Sequence, residues 1–597
     1  MKKENSLRII EHRISFLRKL VIKNKKILDK ISLLRIISFF FLPAYATSYY
    51  LLALQNKYYL LVLPVVFFVF VYLVLHFRNR KEFLVKIHSY ISLLQREKAR
   101  AECNVSKLFR GDPTFVCEES HYYRDLDLFG EYGLFTYLDT TETQRGEELF
   151  CANLLQKNPL QTSEILHRQN LIQTFSNNRY LALKALRLLK EGSEGRLHKI
   201  DLGILHRIGR YFFADKRWLR FTFPMLPFIL WTSALLSLLL DLPSLASSLV
   251  FLQLLLHLYY RKKILQYVKP YRILFDTSEQ IYKLLVYLRG IHFFAETQVK
   301  EIHQAFKDLK KLANRFSFID APAFHIFLNV TVLWDFWQIV RLEKWLQRYT
   351  EASKVWAEKV ELFDSVLPFI VLKWHNPQYE FPQVNEEFST LTSDTMGHLL
   401  IPQNVRVDNR LNPVTSGDTV IITGSNMSGK TTYLRTIGVN VLLALCGSSV
   451  PCKGLQLPPI KILSSIKNFD SLKDGISFFY SEAKQISYII GEVRQGQKCL
   501  VLLDEILKGT NTRERFLASK AIIRELAKYE SFCFLTTHDL ELTKIRTEKV
   551  AQFYHFTEQV EGNSMSFDYQ LKDGVVTSSN ALLILQQEGL HLDYQRD

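Results

Sequence analysis

TVIITGSNMSGKTTYLR, residues 419–435, decides the fold class of the C-terminal part of the chain. Thr419–Thr423 is a β-branched run, and Thr432–Leu445 reads as an apolar helix. Between them, Gly424 to Thr431 matches G-x-x-x-x-G-K-[ST] in full. A strand, a glycine-rich loop and a helix in that order aim backbone N–H groups at phosphate oxygens at the helix N-terminus. The reading assigns Gly424, Ser425, Asn426, Met427, Ser428, Gly429, Lys430, Thr431 and Thr432 to a phosphate cradle. Lys430 is expected to reach the β- and γ-phosphates and Thr431 to ligate Mg²⁺, so ATP and Mg²⁺ are the expected ligands.

Working outward, two further apolar runs end in polar clusters. Leu500–Leu503 is followed by Asp504 and Glu505, about 70 residues beyond the loop. Open α/β sheets bind ligands at the carboxyl ends of their strands. Asp504 is expected to hold the metal, and Glu505 to orient or deprotonate the attacking water. Phe532–Thr537 leads to His538 and Asp539, and His538 is placed to sense the γ-phosphate. Lys508–Thr512 has the small polar composition of a loop packed against another nucleotide site. From about residue 365, short β-rich runs alternate with helical stretches, which predicts a largely parallel sheet. Upstream, the chain reads as mainly helical, with amphipathic stretches at 81–104, 162–191, 264–315 and 328–367.

The 597 residues carry a formal net charge of +17, which suits nucleic acid or an anionic surface. Met1–Arg35 alone holds eleven Lys/Arg against three Asp/Glu. The seven cysteines are odd in number and form no C-x-x-C pair, which argues for a reducing compartment and against a disulfide framework or zinc site. The first 30 residues are too charged for a signal peptide.

Two pairs of uncharged stretches, 36–54 with 58–77 and 221–240 with 242–260, each have the length needed to cross a hydrocarbon core of about 30 Å. Basic flanks on their outer sides predict two transmembrane hairpins with cytoplasmic ends. The expectation is a multi-pass protein of the cell membrane with its ATPase domain in the cytoplasm.

The loop TGSNMSGKTTYLRTIG resembles the TGPNMGGKSTYLRQ pattern of the MutS family of DNA mismatch repair ATPases, within the wider ABC-type group. LVLLDEILKGTNTRE and TTHDLEL are similar to its LVLLDEIGRGTST and THYxEL blocks. Asp474–Phe479 with Glu482, and the closing segment 567–590, are similar as well. So are Asp125–Gly130, Leu134-Phe135, Thr143, Gly146 and Arg168-Gln169, which resemble the start of the family's core domain. The resemblance implies a homodimer through the ATPase domain, with Ser477 contacting the γ-phosphate in the partner's site. This sequence departs from the pattern where Ser425 replaces proline, Ser428 replaces glycine, Thr431 replaces serine and Leu507-Lys508 replaces Gly-Arg. The family's Phe-x-Glu mismatch-reading domain has no counterpart in residues 1–81.

The expected organisation is a basic N-terminus with the first hairpin (1–81), a core helical domain (82–220), a second apolar hairpin (221–260), lever-like helices (261–364) and the α/β P-loop ATPase domain (365–597). The expected function is a dimeric, membrane-tethered ATPase that binds DNA, in mismatch repair or recognition of a related DNA structure. The alternative is a membrane-anchored ABC-type ATPase without mismatch recognition, acting on recombination structures or a membrane partner.

Overall fold

The computed structural model of the chain describes residues 2–51, 62–109, 122–177, 179–193, 199–202, 212, 222–223, 225–240, 246–288, 296–320, 322–425, 427–466, 478–507, 510–544, 550–561 and 564–575. Two compact units emerge. One comprises 1–98, 141–147 and 183–365, and the other 99–140, 148–182 and 366–597.

The first unit is helical. Helix α1 (Lys2–Leu51) and helix α2 (Val62–Ala101) meet through apolar residues at helical spacing. Ile10 and Ile14 pack with Ile87, Ile91 and Leu94. Polar ties flank this seam: Lys98 donates to Glu11 at 2.6 Å, and Arg80 donates to the buried Asn24 side chain at 2.8 Å. Thr143 and Gly146, which carried part of the family resemblance, meet the buried Asp364 carboxylate. It accepts from the Thr143 N–H at 2.7 Å and the Thr143 hydroxyl at 2.6 Å. A Cβ on Gly146 would lie 2.5 Å from the same carboxylate, so glycine is required for the approach.

The expected transmembrane hairpins require correction. Among the described residues, no helix is long and apolar enough to cross a membrane. Within the described helices, the apolar stretches are short or broken by basic residues. In α1 the uncharged stretch is the tail of a helix whose earlier turns are strongly basic. In α2 the uncharged stretch runs only from Val62 to Phe77 before Arg78, Arg80 and Lys81. Residues 52–61, which join the two, lie outside the described residues. The described part of helix α3 (Met225–Leu240) is apolar over 16 residues, or about 24 Å at 1.5 Å per residue, against a ~30 Å core. Helix α4 (Ala246–Leu288) turns basic at Arg261–Lys263, after only about four turns. The described helices therefore do not support the multi-pass cell-membrane topology expected from hydropathy.

The second unit is built on a six-stranded sheet. Its strands are β4 (Thr419–Gly424), β7 (Lys461–Ser465), β8 (Cys499–Asp504), β9 (Ser531–Thr537), β10 (Val550–Phe556) and β13 (Lys572–Asp573), in spatial order β13-β10-β4-β9-β8-β7. All neighbours pair in parallel except β13 with β10. Every residue of β4, β8 and β9 is buried, as expected of central strands covered on both faces. A second sheet contains β1 (Gln383–Val384), β2 (Thr390–Met396), β3 (Asn409–Thr415), β5 (Cys452–Lys453) and β6 (Gln456–Leu457). Among the described residues, six cysteines are free thiols, and Cys117 lies outside them.

Upstream residues anchor this sheet within the same unit. The Asp125 carboxylate accepts from the Ser464 hydroxyl at 2.6 Å and the Ile466 N–H at 3.1 Å. Arg435 pairs with Asp127 at 2.8 Å, on helix α5 (Lys430–Leu445), which follows the phosphate loop. The far end of α5 is closed by Arg168, whose guanidinium donates to the Cys446 carbonyl at 3.1 Å; a cation there also complements the helix dipole. Gly447 then reverses the chain at φ +72°, and a Cβ there would stand 3.1 Å from Arg168 Cβ and 3.2 Å from the Ile165 carbonyl. Gly447→Ala is expected to lower stability by about 1–2 kcal/mol, the cost of a left-handed non-glycine residue. A urea-unfolding midpoint equal to that of the unsubstituted chain would contradict this.

Candidate nucleotide site

The register of the parallel strands decides which side chains meet. Strand β9 lies between β4 and β8, with Thr537 opposite Thr423 and Thr536 opposite Asp504. Neighbouring strands are about 4.8 Å apart, so the three carboxyl ends fall within reach of one ligand. Gly424 ends β4 at φ +147°, and Gly429 caps α5 at φ +108°. Both positions are open to glycine and strained for other residues. Met427 sits between them at φ +69°, 84% exposed. Asn426 lies outside the described residues.

Lys430, in the first turn of α5, is almost fully buried. Its ammonium donates to the Gly424 carbonyl at 2.9 Å and the Ser425 carbonyl at 2.8 Å. It also stands 3.4 Å from His538 Nε2 and 3.6 Å from Glu505 Oε1. Glu505 and His538 pair directly through those same two atoms. Residues from three strand ends thus form one cluster: a cation, a carboxylate and an imidazole.

Beside it, the Thr431 hydroxyl donates to Asp504 Oδ2 at 2.7 Å, and the Thr536 hydroxyl donates to Asp504 Oδ1. A hydroxyl and a carboxylate side by side form a hard oxygen donor set that suits Mg²⁺. The backbone after Asp504 is shaped by further bonds. Glu505 and Leu507 adopt positive φ, at 49° and 60°. The Leu507 N–H donates to the buried Glu482 carboxylate at 2.6 Å, and the Glu505 N–H donates to the Thr536 carbonyl at 3.1 Å. Glu482, seen in the sequence only as part of a pattern, therefore braces the turn that presents Glu505. Ser477, Lys508 and Gly509 lie outside the described residues. Asn511 caps the next helix, α6 (Thr512–Leu526), accepting from the Glu514 N–H at 2.9 Å.

One element of the site escaped the sequence reading. A cavity of about 320 Å³ opens beside Gly429 and Thr432. His398, Ile401, Val405, Tyr433, Phe556 and Tyr569 are among its walls, so aromatic and aliphatic faces meet a few polar groups. Such a lining next to a phosphate cradle suits a planar heterocycle. Burial pushes the His398 imidazole down to about 4, with Arg435 and Arg406 acting in the same direction and Asp127 opposing them. The Leu400 N–H donates to its Nδ1 at 3.3 Å, which requires that nitrogen to be unprotonated. The folded-state value lies below the ordinary value of about 6.5. The stability this group contributes is therefore complete above pH ~6.5 and is lost as pH falls toward 4. In His398→Gln, the loss of stability between pH 6.5 and 4 is expected to be smaller. Urea unfolding at a series of pH values checks this, and identical profiles would contradict it.

Comparison with known proteins agrees with this architecture. Residues 420–591 match the family model for MutS domain V. Over 180 residues, 30% of this chain, the sequence is 34% identical to the DNA mismatch repair protein MutS of Aquifex pyrophilus, covering 21% of that protein. Over 205 residues, 33% of this chain, it is 30% identical to the DNA mismatch repair protein MSH3 of Candida glabrata, covering 19% of that protein. The matched stretch thus spans about a fifth of the length of these curated relatives. MutS domain V is an ABC-type ATPase domain, and the C-terminal region of this chain is an ATP-binding enzyme domain of that kind.

Proposed function

We propose, from a C-terminal ATPase domain of the MutS domain V kind, that this chain hydrolyses ATP as a dimer and couples the nucleotide cycle to binding DNA. The observation that carries the ATP part is the meeting of Lys430, Glu505 and His538, from three strand ends, beside the Thr431–Asp504 pair.

In this reading Lys430 neutralises the β- and γ-phosphates while the loop N–H groups of residues 424–432 hold their oxygens. Thr431 and Asp504 would hold Mg²⁺, which supplies charge neutralisation at the transferring phosphate. Glu505 orients the attacking water and accepts its proton. His538 fixes the Glu505 carboxylate and registers the γ-phosphate. The cavity walled by His398, Tyr433, Phe556 and Tyr569 receives the base. Ser477 of a second copy completes the site, so ATP favours the dimer.

DNA as the partner is supported by the formal charge of +17 and by the printed names of both relatives, which are DNA mismatch repair proteins. Cations that contact phosphates without reading bases give salt-dependent affinity. The test is the steady-state ATPase rate with no DNA, matched duplex, heteroduplex and branched DNA. DNA is expected to change the rate, and branched or heteroduplex DNA to do so at lower concentration than matched duplex. A rate unaffected by every DNA, with no binding at low salt, would overturn the DNA part and leave the ATPase intact.

A further inference from the structure

The phosphate loop has one partner that phosphate chemistry alone does not call for. The Ser425 hydroxyl donates to Glu558 Oε2 at 2.6 Å. A carboxylate beside a loop that receives a polyphosphate opposes binding by charge repulsion, so its presence needs an offsetting role. The bonds around Ser425 supply one. Its carbonyl oxygen accepts from Lys430 Nζ and from the Ser428 hydroxyl, each at 2.8 Å. With its side chain held by Glu558 as well, Ser425 is tied through both its backbone carbonyl and its hydroxyl.

Glu558 is carried on a firm frame. It opens strand β11 (Glu558–Glu561), one residue after β10 ends. The register of β10 with β4 puts Phe556 opposite Gly424, and the two backbones are so close that a Cβ on Gly424 would stand 2.7 Å from the Phe556 carbonyl. The intervening Thr557 accepts from Lys572 Nζ at 2.6 Å, and Lys572 pairs with Asp568 at 2.7 Å. The carboxylate is thus referenced to the same sheet that carries the loop. At position 425 the pattern that this loop resembles has proline, whose ring restrains φ covalently. Serine carries no such restraint.

We propose that Glu558 is a positioning residue for nucleotide binding. Through the Ser425 hydroxyl it holds the phosphate loop in its ATP-receiving form, replacing a covalent restraint with a hydrogen bond. This rests on the reading of Lys430 and its loop as an ATP site.

The test is a double-mutant cycle on the full chain, with ATP and Mg²⁺ titrated calorimetrically. Glu558→Ala is expected to weaken ATP binding about tenfold when residue 425 is serine, the scale of a lost hydrogen bond to a charged group. In a Ser425→Pro background the same change is expected to cost about twofold or less. Glu558→Gln, which keeps an acceptor, is expected to cost less than Glu558→Ala. An equal loss in both backgrounds would overturn the proposal, because a general structural role would not depend on residue 425. Unchanged affinity in Glu558→Ala would overturn it too. If the unsubstituted chain binds no ATP, the underlying reading fails. If Lys430→Ala weakens binding about a hundredfold while Glu558→Ala does not weaken it, the ATP site stands and only this inference falls.

Discussion

Lys430→Ala is expected to raise the dissociation constant for ATP by about a hundredfold while leaving the fold intact. Truncating one member of a buried, hydrogen-bonded charge pair costs about 2–5 kcal/mol, and about 2.8 kcal/mol is a hundredfold. Lys430 meets the condition. Its side chain is 4% exposed, and its ammonium is already desolvated among loop carbonyls, Glu505 and His538. A triphosphate entering this cluster would find a cation that needs little further dehydration or ordering. The substitution removes that cation and leaves the α5 backbone N–H groups in place, so weak residual binding is expected. Calorimetric titration of ATP with Mg²⁺ measures the effect. The unfolding midpoint shows whether the fold survives. An affinity within about threefold of the unsubstituted chain would mean that the phosphates lie elsewhere.

Glu505→Gln carries the other large effect. General-base catalysis contributes typically 10²- to 10⁴-fold, so kcat is expected to fall by about a thousandfold while ATP stays bound. The substitution is nearly isosteric. It keeps an oxygen facing Lys430 and His538 and removes the charge that accepts a proton. The positive φ at Glu505 and the Glu482 bond to the Leu507 N–H are backbone features and survive the change. Single-turnover measurement separates binding from chemistry. Retained turnover would assign the base to another group.

The strand ends that carry the phosphate loop, the Asp504-Glu505 pair and His538 were legible in the sequence because each is an apolar run followed at once by glycine-rich or polar residues. The parallel sheet followed from the same runs, since β4, β8 and β9 read as unbroken apolar strands and are buried throughout. The cavity beside Gly429 and Thr432 was not legible. Its walls come from short stretches near 398–409, 429–436, 556 and 569, and only the fold brings them together. Glu558 was hidden for the same reason, 133 residues from the serine it holds. Arg168 and Asp125 appeared only as parts of a pattern. The structure gives them work as a helix cap and a strand anchor.

The membrane expectation failed on a different ground. Counting uncharged residues measures composition, whereas crossing a bilayer requires that composition over one helix of sufficient length. Among the described residues, the helix at Met225–Leu240 covers 16 residues, and the helix from Ala246 gains three cations at Arg261–Lys263.

The central claim is that one ATP occupies the cluster of Lys430, Thr431, Asp504, Glu505 and His538. A crystal structure of the Glu505→Gln chain grown with ATP and Mg²⁺ tests it most directly. The expected result is a triphosphate with Lys430 Nζ in hydrogen-bond range of its oxygens, a metal between Thr431 and Asp504, and the base among His398, Tyr433, Phe556 and Tyr569. Nucleotide density away from these residues, with Lys430 still bonded only to the Gly424 and Ser425 carbonyls, would contradict it.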